Sequence, residues 1–133
     1  MLALGLASCG VGSTPTVAPT IDVSGQWVVD LKPSDSSEEA RMRLTLTQSG
    51  ATVTGDAEAA YYSGTLIDLY EPFGKVNGTV SGDRYTLNVA PQGKYSGSLT
   101  LSGTVIAGKL SGTWSAVGSN GQSRNGSFQG SKQ

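Results

Sequence analysis

Residues 78–87 read GTVSGDRYTL, and residues 103–115 read GTVIAGKLSGTWS. Each runs from a glycine through a β-branched residue into apolar–polar alternation, punctuated by Ser-Gly or Gly-Asp. Alternation with period two is the signature of a strand with one buried and one wet face. Gly82-Asp83 supplies the tight turn that folds one strand back on the next. The two segments therefore read as repeated hairpin chemistry. Their spacing drifts too much for a solenoid.

The same pattern extends in both directions. Gly25, Trp27, Val29 and Leu31 share one face, and Met42, Leu44 and Leu46 do so in RMRLTLTQ. Gln48-Ser49-Gly50 turns the chain into Val53, Gly55 and Ala57. Val76, Gly78 and Val80 follow, then Tyr85, Leu87 and Val89, then Tyr95, Gly97, Leu99 and Leu101. Leu110, Gly112, Trp114 and Ala116 make the next set. Gly126 and Phe128 close the series after a turn at Ser119-Asn120-Gly121.

This gives about eight strands and no convincing helix. One apolar face per strand means an antiparallel, up-and-down sheet. A sheet of that length buries its apolar face best by curling into a closed barrel, which also removes its exposed edges. A two-sheet β-sandwich is the alternative. Glycines at inward positions (Gly55, Gly78, Gly97, Gly112) favour the barrel, because they permit strong coiling and leave room for Trp27, Trp114, Tyr85 and Phe128.

Composition narrows the function. Net charge is −1 with 14% charged residues, which provides no basic field for nucleic acid. There are no histidines, so the commonest general base and metal ligand are missing. Neither a metal nor a cofactor is expected, and no enzyme. Asp56 and Glu58 lie two apart on one strand face, a conceivable carboxylate pair, but solvated acids are the expectation. Asp35, Glu38 and Glu39 form a charged loop after the first strand. No phosphate-binding glycine loop, calcium loop or serine elbow is present.

The N-terminus carries the most specific motif. Residues 1–8 are apolar or small, and Leu6-Ala7-Ser8-Cys9 resembles the bacterial lipobox. The resemblance implies that Cys9 is acylated and becomes the first residue of a lipoprotein, with 1–8 the remnant of its signal peptide. No Lys or Arg precedes the apolar stretch, which places the expected true start upstream of Met1. Residues 9–23, with Pro15 and Pro19, read as the lipidated cysteine and a flexible linker to a domain over 24–131. The implied location is the cell envelope, with the domain in the periplasm or at the cell surface. In a Gram-negative host Gly10, which is not aspartate, favours the outer membrane.

Gly25-Gln26-Trp27 resembles the G-x-W signature of lipocalin-like barrels. In that family the tryptophan plugs the closed end and packs on an arginine near the last strand, a part for which Arg124 is available. Gly112-Thr113-Trp114 is similar to strands of avidin-like barrels, although two tryptophans are too few for a biotin box. Both tryptophans are expected as core plugs.

The stretch AYYSGTLIDLYEPFGK, residues 60–75, breaks the rhythm. Tyr61, Tyr62, Tyr70 and Phe73 cluster there, with Pro72-Phe73-Gly74 read as a terminating turn. They either fill the barrel mouth or form an exposed patch for a partner or ligand. The functional expectation is a lipid-anchored binding module for a protein partner or a small apolar ligand. Its alternatives are an assembly accessory of an envelope complex and an inhibitor of an exported hydrolase.

Overall fold

A computed structural model describes residues 17–35, 39–63, 65–93, 96–118 and 120–133, with the backbone alone for 61–63 and 65–69. Eight antiparallel strands follow one another around a closed barrel. They are β1 (Gly25–Pro33), β2 (Ala40–Ser49), β3 (Thr52–Ser63), β4 (Thr65–Ser81), β5 (Arg84–Pro91), β6 (Ser98–Ile106), β7 (Lys109–Val117) and β8 (Ser123–Lys132). The barrel closes where β1 pairs with β8, in a register that sets Trp27 opposite Lys132 and Leu31 opposite Phe128. No sandwich forms, because closure satisfies both edges of the sheet with hydrogen bonds.

Inward glycines face large side chains on the neighbouring strand. Leu46 lies opposite Gly55, Leu87 opposite Gly78, Tyr85 opposite Gly103, Phe128 opposite Gly112 and Trp114 opposite Gly126. Gly103 and Gly112 are themselves partners, so Tyr85, Gly103, Gly112 and Phe128 form one row across β5–β8. The two glycines leave the space in which the flanking rings meet, with centroids 6.4 Å apart and planes tilted by 53°. Aromatic rings over glycine let a sheet coil tightly without leaving a void.

The barrel has two unlike ends. One carries the tight turns at Gly50-Ala51, Gly82-Asp83 and Ala107-Gly108; the other carries the longer connections after β1, β5 and β7. Ala107 and Gly108 both have positive φ, 52° and 77°, the requirement of the type I′ turn that best matches strand twist. Alanine is strained there, whereas asparagine tolerates it. Ala107→Asn is therefore expected to raise stability by about 0.5–1 kcal/mol, read as a higher urea midpoint at unchanged slope.

The tight-turn end is capped by residues 17–24, and the domain accordingly begins earlier than Ser24. Thr20 N–H donates to Gly82 O (2.8 Å) and Gly82 N–H donates to Val17 O (3.1 Å). Val23 is wholly buried, and its N–H donates to Gln48 Oε1 (2.9 Å) while Gln48 Nε2 donates to Ile21 O (3.0 Å). Residues 17–23, expected as part of a free linker, form a strap instead. Alternating polarity is absent there, and the side chain of Gln48 substitutes for a paired strand. Cys9 and the rest of the linker lie outside the described residues.

Segment 60–75 also differs from expectation. It holds the end of β3 and the first half of β4, joined near residue 64, and Pro72-Phe73-Gly74 is no turn. Ala57 pairs with Gly74 but Glu58 with Pro72, so Phe73 is the extra residue of a β-bulge. Neighbouring pairings end at Met42 opposite Ala59 and at Gly74 opposite Pro91. The hairpin thus projects beyond the rim. Proline is tolerated at Pro72 because a strand without a ladder partner on that side needs no N–H donor.

Candidate functional site: the open mouth of the barrel

The interior is filled from the strap upwards. Trp27, Leu44, Leu46, Val53, Val80, Tyr85, Leu87, Leu101, Leu110 and Phe128 are all buried in one apolar cluster, and no described polar or charged residue is buried with them. The polar atoms of its aromatics are partnered. Trp27 Nε1–H donates to Val23 O (2.9 Å), and Tyr85 O–H donates to Ser111 O (3.3 Å).

Tyr85 gives the core a pH signature. Burial pushes its phenol well above the ordinary tyrosine value. An unfolded tyrosine ionises near pH 10, so the neutral buried ring stabilises the fold fully below that pH. That contribution is lost as pH rises from there through the higher folded value. Above pH 10 the wild type is expected to lose about 1.4 kcal/mol per pH unit more than Tyr85→Phe. Urea midpoints measured between pH 9 and pH 11.5 check this.

At the opposite end the filling stops. Two apolar clefts, of about 230 Å³ and about 300 Å³, share Phe73, Leu99, Trp114 and Arg124 as walls. The first continues onto Leu31, Met42 and Ala60. The bulge in β4 turns the Phe73 ring into this mouth, where it packs on the core cluster. Trp114 Nε1–H reaches Lys32 O at 3.4 Å. Arg124 stands at the rim, paired with Asp35 at 3.3 Å. Both groups are about half exposed or more, so the pair contributes little stability.

The expected site residues are thus redistributed. Arg124 does not stack on Trp27. Lys132 does, with Nζ 5.5 Å from the ring centroid. The register explains the difference: Lys132 is opposite Trp27, and Arg124 lies eight residues away along β8, roughly 26 Å at 3.3 Å per residue. Trp27 plugs the capped end, whereas Trp114 walls the open one.

Tyr70 and Phe73 do not form one patch either. Phe73 faces the interior, whereas the Tyr70 ring lies on the outside beneath Arg43, whose Cζ is 4.4 Å from its centroid. Arg43 Nε also donates to Glu58 Oε1 at 2.8 Å, and this bond holds the guanidinium still more firmly protonated. The side chains of Tyr61 and Tyr62, like Tyr95, lie outside the described residues.

The carboxylate pair has a structural use. Asp56 is bridged to Lys75 (2.6 Å) and Glu58 to Arg43 (2.8 Å), so each acid ties adjacent strands together on the outer face. Among the described residues no three potential metal ligands lie together. Leu31, Met42 and Leu99, expected in the core, are buried there and also wall the mouth. Their strand-end positions were the available signal.

The structure defines a closed eight-stranded up-and-down β-barrel, strapped at one end and open at the other. No family model matches the chain, and no curated protein matches it either. Its likeness to lipocalin-like barrels therefore rests on Gly25-Gln26-Trp27 and on strand architecture.

Proposed function

We propose that this protein is a lipid-anchored, non-catalytic binding barrel of the bacterial cell envelope whose open mouth receives an apolar side chain of a protein partner. The observation that carries the binding reading is the contrast along the barrel axis. Trp27, Leu44, Leu87, Leu101 and Leu110 pack the interior above the strap, whereas at the loop-bearing end Phe73, Leu99 and Trp114 wall two apolar clefts, with Arg124 lining both and Arg41 lining one. Clefts of about 230 Å³ and about 300 Å³ sit at or below the lower end of the usual range for small-molecule sites, roughly 300–1,000 Å³. That size suits one aromatic or branched side chain better than a carried lipophile. The projecting hairpin beside the mouth adds contact area, and a buried anchor surrounded by a polar rim is the usual energetic centre of an interface. The anchor reading rests on the Leu6-Ala7-Ser8-Cys9 motif.

Two measurements test this. Intact mass of protein purified from its own host should show a chain that begins at Cys9 and carries acyl groups; an unmodified Met1 chain refutes the anchor. For the mouth, Leu99→Trp should fill the cleft and weaken a partner recovered by crosslinking in the native envelope about tenfold or more, roughly 1.4 kcal/mol. Phe73→Ala should act in the same direction. Unchanged affinity in both variants, with the barrel still folded, excludes the mouth as the site. A stoichiometric small molecule in native mass spectrometry would instead favour a carrier of an apolar ligand.

A further inference from the structure

The strapped end has a surface of its own. Among the described residues, two of the three exposed large apolar side chains lie there: Val17, 60% exposed, and Ile106, 58% exposed. They belong to neighbouring turns. Val17 O accepts from Gly82 N–H, Arg84 pairs with Thr104, and the Thr104 hydroxyl donates to Asp83 O. The 82–83 turn therefore adjoins the 107–108 turn that displays Ile106.

Cations flank these residues. Arg84 and Lys109 are exposed and form no ion pair with any described residue, in contrast to Arg41, Arg43, Lys75 and Arg124. Lys132 completes the basic set over the Trp27 ring. Asp83 and Asp22 oppose it; Asp22 is held low in pKa by hydrogen bonds from the Ser24 N–H and hydroxyl. Aliphatic side chains beside unpaired cations form the chemistry that settles at an anionic lipid surface.

We infer that this end of the barrel is a membrane-facing surface that lies against anionic lipid headgroups, so that the mouth points away from the bilayer. The inference rests on the proposed acylation of Cys9. Eight residue steps separate Cys9 from Val17, and a chain cannot span more than about 3.6 Å per step, roughly 29 Å in all. The tether alone permits a barrel lying on its side. Ile106, Val17, Arg84 and Lys109 select the upright arrangement.

The test uses the acylated full chain from its host, reconstituted in phosphatidylcholine vesicles containing phosphatidylglycerol. Its acylated Cys9 thioether is inert to thiol reagents, so single cysteines can be labelled. Gln133→Cys marks the strapped end and Ser96→Cys the mouth end. With a headgroup-attached spin label as quencher, fluorescence at position 133 should be quenched at least twofold more than at position 96. Adding Arg84→Glu and Lys109→Glu should abolish most of that difference, since each cation near an anionic surface contributes roughly fivefold in binding. Equal quenching at both positions, or more at position 96, overturns the orientation. An asymmetry unaffected by the charge reversals overturns the role of the patch. Intact mass of the same sample separates the claims: an unacylated chain removes the anchor, whereas an acylated chain quenched equally at both positions removes only the orientation.

Discussion

Gly103→Val should destabilise the barrel by at least about 3 kcal/mol, at the upper end of overpacking effects. A Cβ at this position would meet the carbonyl oxygen of Ser111, with the Cα of Gly112 only 2.7 Å away. Those atoms belong to the backbone of β7, so no rotamer change can relieve the clash. β6 and β7 would have to separate in the row that joins Tyr85 to Phe128. Domains of this size have roughly 5–15 kcal/mol of net stability, so the loss is a large fraction of the whole. The control is Thr113→Val, an exposed outward position one residue from Gly112, for which a change within about 0.5 kcal/mol is expected. Equilibrium urea unfolding followed by tryptophan fluorescence decides it. A Gly103→Val midpoint close to wild type would mean that strand coiling does not depend on the glycine row.

Trp27→Ala should cost about 3–5 kcal/mol, the range for removing a buried aromatic. Trp27 is 2% exposed and fills the capped end beneath the strap. Trp27→Phe separates two contributions, because it keeps most of the apolar volume but leaves the Val23 carbonyl without its donor. Removing that partner is expected to cost about 1–3 kcal/mol. The two variants should also share a local signature. Amide exchange at Thr20 and Val23, bonded to Gly82 O and Gln48 Oε1, should accelerate more than exchange in β6 and β7. Uniform acceleration across the barrel would show that the strap is not held by Trp27.

Much of the architecture was legible because its physics is local. Alternation places Met42, Leu44 and Leu46 on one face whatever the partner strand is, and all three are buried. Gly82-Asp83 turns the chain through the intrinsic freedom of glycine, with φ of 59°. The mouth was less legible. Phe73 points inward through a bulge, and a bulge arises when two strands of unequal path length must stay in register. Arg124 was a plausible partner for Trp27 in composition alone, but a distance along β8 settles the matter.

The sequence by itself determined an approximate strand count and the inward face of most strands, since period two acts within a few residues, whereas closure into a barrel rather than a sandwich was decided by the pairing of β1 with β8. It also carried the lipobox-like stretch Leu6-Ala7-Ser8-Cys9, a local pattern on which the proposed anchor rests. Only the tertiary structure decided that residues 17–23 cap the barrel, that Lys132 covers Trp27, that Tyr70 and Phe73 face opposite sides, and that Arg84 and Lys109 flank Ile106 at the strapped end. Those outcomes depend on register between strands and on which turns meet at one rim. Such long-range geometry is set by the closure of the whole barrel, and no short stretch of chain contains it.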